Sequence, residues 1–385
     1  MPQPFVVGLI VNPVAGLGGP CAHKGSDAPD IRELARAAGV EPQSALRTRR
    51  ALRQLVDRLA HQGRDVVVLT GPGELGEDAA AGLCSVRLAS PWAEPDGAQS
   101  ASHGATTAAS TRTLALALRD SGVDLLLFAG GDGTARDILD AVDGALPVLG
   151  IPAGVKIYSA AFALTPVAAG SAAAAWLLSP ARATTERDVV DIDEDALRAG
   201  AASPAYYGSL RVPVDPTRLQ DRKTPTPASD ATAVGALADA FAASMRAGHA
   251  YVLGPGGTTL AVGCSLGLKL TRLGVDVVRD GVLLAKDATA AELEELLSGV
   301  TATIVVTPLG GQGFIVGRGN QQLTAELVRG TELLVIATPA KLASLGTRAL
   351  RVDTGSAEAD AALSGYTKVF TGPGTETVYP VGTLD

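Results

Sequence analysis

The stretch VDLLLFAGGDGT at 123–134 limits what this chain can fold into more than any other. An apolar run followed by three glycines around one aspartate, and then by a helical pattern at 134–142, reads as buried strand, tight turn and helix. Strands apolar throughout belong to parallel sheets covered on both faces. The turn then falls at the carboxyl edge of such a sheet, where open α/β folds bind ligands. Gly130, Gly131 and Gly133 leave backbone amides open to a phosphate, and the following helix points its positive end at the same place. Asp132 sits in this anion-attracting turn. The helix end favours its ionised form, so it is the candidate to hold Mg2+ or to take the proton of an attacking hydroxyl. Thr134 is read as an N-cap or a phosphate contact. The plain alternative is an Asp-Gly turn that only starts a helix. A second glycine loop upstream favours the functional reading.

That second loop is Asn12-Pro-Val-Ala-Gly16-Leu-Gly18-Gly19, after an expected strand at 5–11. It lacks the Gly-Lys-Ser/Thr ending of a Walker loop and does not fit Gly-x-Gly-x-x-Gly. It can still cradle phosphates, with Lys24 close behind to neutralise one. A third loop, GIPAGVK at 150–156, follows an expected strand starting at 147–149 and places Lys156 for an anion and Tyr158 or Ser159 for an acceptor. Helices are expected at 31–38, 51–61 and 111–121, a strand at 65–69, and a surface loop at 90–110. Strands alternating with helices predict a doubly wound parallel sheet.

Beyond about Pro180 the texture changes. Strands are expected at 184–192, 208–214, 251–253, 303–307, 314–316 and 332–337, a loop at 218–230 and a helix at 290–297. This predicts a second, β-rich mixed domain. The division expected is 1–165 for the nucleotide-binding domain, 166–340 for the second domain with the acceptor site, and 341–385 for a C-terminal segment packing back on the first. GPGGTT at 254–259 repeats the strand-loop-helix arrangement of an anion site, with Thr258 and Thr259 as contacts. Residues 308–322 hold Gln312, Arg318, Asn320 and Gln321, amides and one guanidinium suited to gripping a polar acceptor. Asp276 and Asp353 follow short apolar stretches as candidate second carboxylates, with a structural role the simpler reading of each.

Net charge is -8 and there is no Lys/Arg block, which argues against nucleic acid as partner. Cys21, Cys84 and Cys264 are odd in number and widely spaced, so neither a disulfide framework nor a zinc site is expected, and a reducing cytoplasm is the natural setting. The beginning of the sequence lacks a basic n-region and is not read as a signal peptide. Residues 160–179 carry no charge, but they are mostly Ala and Gly with Pro166 among them. They are read as a buried helix rather than a membrane span.

GGDGT with an Asn-Pro-x-Ala-Gly loop before it resembles the NAD kinase and diacylglycerol kinase superfamily. NPVAGLGG, GPGELGED, GVDLLLFAGGDGTARDI, GIPAGVK, YVLGPGGTT, TPLGGQGFIVGRGNQQ and RVDTG together resemble its bacterial ATP-NAD kinase/AcoX-type group over nearly the whole chain. The resemblance implies an N-terminal α/β domain, a β-rich second domain and a cleft between them. It implies a kinase phosphorylating NAD to NADP with ATP or inorganic polyphosphate as donor and Mg2+ as helper. Asp132 is then the catalytic carboxylate, and a homo-oligomer is implied. Two departures stand out. The chain has no Asn-Glu dipeptide, which grips the dinucleotide in such kinases, and it has Thr307-Pro-Leu-Gly-Gly-Gln312 where they carry a Thr-Pro-Thr-Gly-Ser type loop. Two other readings therefore stay open: a same-fold kinase of another small hydroxyl compound, as in the acetoin-catabolism-associated AcoX members, and a nucleotide-binding regulator without catalysis. A lipid kinase is a weaker option, since no basic amphipathic membrane helix is seen.

Overall fold

The computed structural model describes residues 3–23, 29–40, 42–89, 107–155, 157–191, 205–215, 218–219, 230–309 and 312–382. Two sheets with separate cores organise them, and the α/β class with a second mixed, β-rich domain holds.

The first sheet has five parallel strands in the order β3-β2-β1-β4-β5. They are β1 (Phe5–Val11), β2 (Val66–Thr70), β3 (Ser85–Leu88), β4 (Leu125–Gly130) and β5 (Val148–Pro152). β1 and β4 are buried almost throughout, as their unbroken apolar runs require. The connections are α1 (Pro29–Ala37) and α2 (Gln43–Ala60) after β1, α3 (Glu77–Ala80) after β2, α4 (Ala108–Asp120) after β3 and α5 (Asp132–Val142) after β4. From β1 the chain winds to one side through β2; from β4 it winds to the other through β5. Right-handed crossovers then put the helices after β1 and after β4 on opposite faces. Accordingly α2 packs on α6 (Pro166–Leu178), while α4 packs on α5.

α6 is the uncharged segment expected to be a buried helix. Thr165 caps it by accepting from the Ala168 amide at 3.1 Å, and Pro166 takes the first turn, where its missing N–H costs nothing. A helix apolar all round must be buried all round. Gly170 lies against α2 so closely that a Cβ would strike the Ala51 carbonyl. α2 begins well before the expected helix at 51–61. Its first turns bury Ser44, Arg47 and Thr48, polar residues that hide the amphipathic period.

A hairpin of β6 (Thr184–Asp191) and β7 (Ala205–Pro213) lays Val189, Leu210 and Val212 on the same core. That core runs from Phe5 to Leu219, past the expected boundary at 165. We propose the domain division between Leu219 and Asp230.

The second sheet has nine strands in the order β10-β9-β8-β11-β13-β15-β16-β14-β12. At its centre β8 (Ala250–Leu253), β11 (Ala302–Val306), β13 (Glu332–Ile336) and β15 (Gly365–Gly372) run parallel. β9 (Asp276–Arg279) and β10 (Val282–Ala285) add an antiparallel margin. β16 (Thr375–Gly382), β14 (Leu350–Val352) and β12 (Phe314–Val316) complete the other side. Strand residues alternate between two cores. Tyr251, Leu253, Val305 and Ile336 meet α7 (Ala231–Ser244) and α8 (Gly257–Ser265) on one face. Val252, Ile304, Val306 and Val335 meet α9 (Ala290–Leu297), α10 (Ala325–Gly330) and α11 (Pro339–Ala343) on the other.

β14 to β16 bring most of the expected C-terminal segment into this sheet, and Asp353, just after β14, reaches the first domain. Arg47 Nη1 donates to Asp353 Oδ2 at 2.7 Å, and Arg50 Nη2 to the Gly355 carbonyl at 2.6 Å. No helix among the described residues is long and apolar enough to cross a membrane.

Candidate active site

β1 and β4 are neighbours whose connections leave in opposite directions, so a crevice opens between their carboxyl ends. The Asn12 and GGDGT loops occupy it. The Asn12 amide donates to the Ala129 carbonyl at 2.9 Å, fixing the first loop on β4. Asn12 Nδ2 donates to Thr134 Oγ1 at 3.1 Å, and Asn12 Oδ1 accepts from the Val14 amide at 3.2 Å. The third loop closes on the same point, because the Gly130 carbonyl accepts from the Ala153 and Gly154 amides at 3.0 and 2.9 Å. Gly16, with φ of 86°, packs on the Ala153 carbonyl where a Cβ has no room. The three glycine loops found in the first half of the sequence thus meet.

α5 starts in this crevice with Gly131 as N-cap and no side-chain cap. Its first-turn amides are left for an anion, with the positive end of the helix dipole behind them. Gly131 and Gly133 are half-exposed at this edge, while Thr134 lies beneath it.

Asp132 is 6% exposed. Its carboxylate is held by backbone donors, Oδ2 accepting from the Tyr158 amide at 2.7 Å and Oδ1 from the Ser159 amide at 2.9 Å. The Ser159 hydroxyl is itself fixed on β6, donating to the Val190 carbonyl at 2.9 Å. Burial pushes the Asp132 carboxyl up to about 6, with Asp191 adding to the rise, while Ser159 and Tyr158 pull the other way. Such a carboxylate is anchored, oriented and poised near neutrality. Tyr158 and Ser159, expected to meet an acceptor, present their amides to Asp132. Arg136, four residues along α5, pairs with Asp191 at 3.1 Å and lies 5.0 Å from the Tyr207 ring centroid. The sequence reading passed over it, although its i+4 spacing from Asp132 puts it on the same helix face.

Gly18 and Gly19 are buried, and Gly19 packs on the Gln321 side chain. Gln321 Nε2 donates to the Val155 carbonyl at 2.9 Å, joining the second domain to the third loop, and its buried Oε1 has no partner among the described residues. The other acceptor candidates are engaged internally. Asn320 accepts from the Gly317 amide at 2.8 Å and donates to the Ile315 carbonyl at 2.9 Å, folding its own loop. Arg318 is buried, with Nη2 donating to the Leu164 carbonyl at 2.6 Å, Nε 3.5 Å from Asp353 Oδ2, and the Phe314 ring beneath it. Burial brings its guanidinium down to about 10, against the pull of Asp353. Gln312 is buried too, its backbone carbonyl accepting from Arg351 Nη1 at 3.1 Å. Asp353 is thus the anion of a buried cluster that clamps the domains through Arg47 and Arg318. Asp276 accepts from Thr271 and from the Asp287 amide and organises its own loop. Thr258 and Thr259 are buried in the first turn of α8, which follows β8 of the second sheet. Lys24 and Lys156 lie outside the described residues.

Among the described residues no three His, Cys, Asp or Glu side chains form a metal cluster. Both Asp132 oxygens already accept an amide, so the donor set suits an Mg2+ that arrives on substrate phosphates, with Asp132 as its one carboxylate, better than a resident ion caged by protein.

The chain matches two family models. The ATP-NAD kinase N-terminal domain covers residues 7–178, and the ATP-NAD kinase C-terminal domain covers residues 247–381. No curated protein and no solved structure matched the chain.

Proposed function

The chain belongs to the ATP-NAD kinase family, whose models match both its domains, and from that premise we propose that it phosphorylates a ribose hydroxyl of NAD to give NADP. The class, a phosphotransferase, follows from the family. NAD as acceptor, and ATP or inorganic polyphosphate as donor, are our reading.

The observation that carries it is the position of Asp132, a carboxylate fixed by the Tyr158 and Ser159 amides at the start of an uncapped helix. A terminal phosphoryl group resting on the first amides of α5 lies beside that carboxylate. The acceptor hydroxyl oxygen attacks phosphorus, the bond from phosphorus to the donor's bridging oxygen breaks, and the hydroxyl proton passes to Asp132. Its carboxyl, raised to about 6, is a stronger base than an ordinary aspartate and is still ionised at neutral pH. Mg2+ bound to the phosphate chain supplies charge neutralisation. Asn12 and Thr134 set the spacing of the two loops that would hold that chain. We also take the protein to be a cytoplasmic homo-oligomer, in keeping with its three free cysteines and its family.

A second reading, a kinase of another small alcohol of the AcoX type, has an observation in its favour. Asn320 and Arg318 are spent on their own loop and on the domain clamp, and the chain has no Asn-Glu dipeptide. Incubation with ATP, Mg2+ and NAD separates the readings. NADP formation supports the first. ADP release that depends on a different alcohol, without NADP, supports the second. Nucleotide binding with no turnover on any acceptor leaves a regulator.

A further inference from the structure

The second sheet contains its own reversal of winding. After β8 the chain enters α8 on one face and moves to β9, on one side of β8. After β11 it runs to β12 at the far edge of the sheet and returns through α10, on the opposite face, to β13 on the other side of β11. β8 and β11 are parallel neighbours whose connections leave in opposite directions, as those of β1 and β4 do, although β8 is followed here by an antiparallel strand. Such a reversal opens a crevice outside the carboxyl ends of the two strands.

What lines this crevice is polar and cationic. Thr258 follows β8, Thr307 follows β11 and Lys341 follows β13. Thr307 Oγ1 donates to Thr258 Oγ1 at 3.3 Å, and Lys341 Nζ donates to Thr307 Oγ1 at 3.1 Å. Both threonines are almost fully buried, at 2% and 1% exposure. An ammonium has three donors, and Thr307 takes one of them. Lys341 makes no ion pair among the described residues. The acid that bears on it is Asp230, whose Oδ2 is occupied by the Thr338 hydroxyl at 2.7 Å. At the mouth, Gly257 is exposed with open space where a Cβ would stand, and α8 begins on Gly256 without a side-chain cap. A mostly buried ammonium with donors to spare, two hydroxyls and a bare loop meet at a strand-order switch of the second sheet, whereas Asp132 follows a strand of the first.

We propose that this crevice is a second phosphate site, in which Lys341, Thr307 and Thr258 bind a phosphoryl group of a phosphate ester or anhydride. The ammonium supplies the charge and the hydroxyls turn to donate to phosphate oxygens, with Lys341 released from Thr307 to do so. Burial lowers the amine to about 8, which keeps it largely protonated at neutral pH and makes it reactive toward acylation slightly above.

The test uses the full chain without NAD, so that binding is read without turnover and failure of the kinase reading leaves it intact. Lys341 acylation is followed by peptide mass spectrometry with and without inorganic phosphate, pyrophosphate or ATP. Slower labelling with phosphate alone assigns a monoester group, and slower labelling only with pyrophosphate or ATP assigns an anhydride. Lys341→Met and Thr258→Val give a second measurement. Each should weaken pyrophosphate binding about tenfold or more, the scale of a lost charge-assisted contact, and Asp230→Asn should tighten it. Labelling of Lys341 that none of the three phosphates slows, or wild-type pyrophosphate affinity in both Lys341→Met and Thr258→Val, overturns the proposal.

Discussion

Asn12 Nδ2 lies 3.1 Å from Thr134 Oγ1, so a side chain after the first strand holds the hydroxyl of a turn 122 residues later. The bond crosses the point where the winding of the first sheet reverses. It sets how far apart the two glycine loops stand, and hence the width of the crevice that is to receive a phosphate chain.

Thr134→Val keeps the shape and removes the hydroxyl. One side-chain hydrogen bond is worth about 1 kcal/mol, so the melting temperature should shift by only a few degrees. Turnover should fall about tenfold or more, since small misplacements near the reacting atoms are costly. Steady-state kinetics beside thermal denaturation reads both. A variant that unfolds earlier but keeps its kcat would make the contact purely structural.

Asp132→Asn should lower kcat by about 10²- to 10⁴-fold, the usual weight of a general base. In the wild type kcat/KM should fall as pH drops through about 6, where the buried carboxyl takes up a proton. Folding responds in a related way. The folded-state value lies above the ordinary 3.8, so between about 4 and 6 the folded protein binds the extra proton. The stability tied to this group is present at low pH and lost as pH rises through about 6. The stability difference between wild type and Asp132→Asn, measured by urea denaturation, should move in favour of the wild type on going from pH 7 to pH 4. A flat difference would mean that the carboxyl is not buried in this way.

This turn was legible in the sequence because three signals coincide: an apolar strand, glycines, and a helical period from Thr134, which the structure extends back to Asp132. β10, β15 and β16 were not, because half-exposed strands such as VLLA and TETVYPVG give no clean run to read, and β9 and β14, though buried, are only four and three residues long. The first-domain loops of the candidate site were legible for the same reason. On the other side, amides and an arginine among glycines read as a ligand grip. In the fold, Gly317 and Gly319 at φ of 90° and 78° curl the loop until Asn320 closes on its own backbone. Arg318 meets Asp353, and Asp353 meets Arg47 across 306 residues of sequence, which no local pattern can announce. Lys341 gives no local signal because its partner, Thr307, lies 34 residues earlier in the loop after β11.

The Arg47–Asp353–Arg318 cluster should matter more to stability than surface pairs such as Arg329–Glu358, where one side chain is 83% exposed. Asp353→Ala strands two buried guanidiniums, and breaking a buried pair from one side costs about 3–5 kcal/mol. Glu358→Ala should cost about 1 kcal/mol at most. Urea denaturation of both variants tests the ranking, and equal losses would show that Asp353 does not clamp the domains.

Gly170→Ala tests the packing on which the site's scaffold rests. The added methyl meets the Ala51 carbonyl and the Gln54 Cβ at 2.9 Å, on a helix whose other face is also buried, so α6 can relieve the clash only by moving away from α2. Overpacking of this kind costs about 1–3 kcal/mol, more than the helix propensity gained by replacing a mid-helix glycine, about 1 kcal/mol. The net effect should be destabilising. α2 also carries Arg47, whose Nη1 reaches the Pro152 carbonyl at the end of β5, so its displacement should be felt at the third loop as well. Denaturation midpoints of Gly170→Ala beside the control Gly235→Ala, at a helical glycine with open space around it, separate the two terms. The control should gain stability where Gly170→Ala loses it, and a gain in both would show that α2 and α6 do not pack this closely.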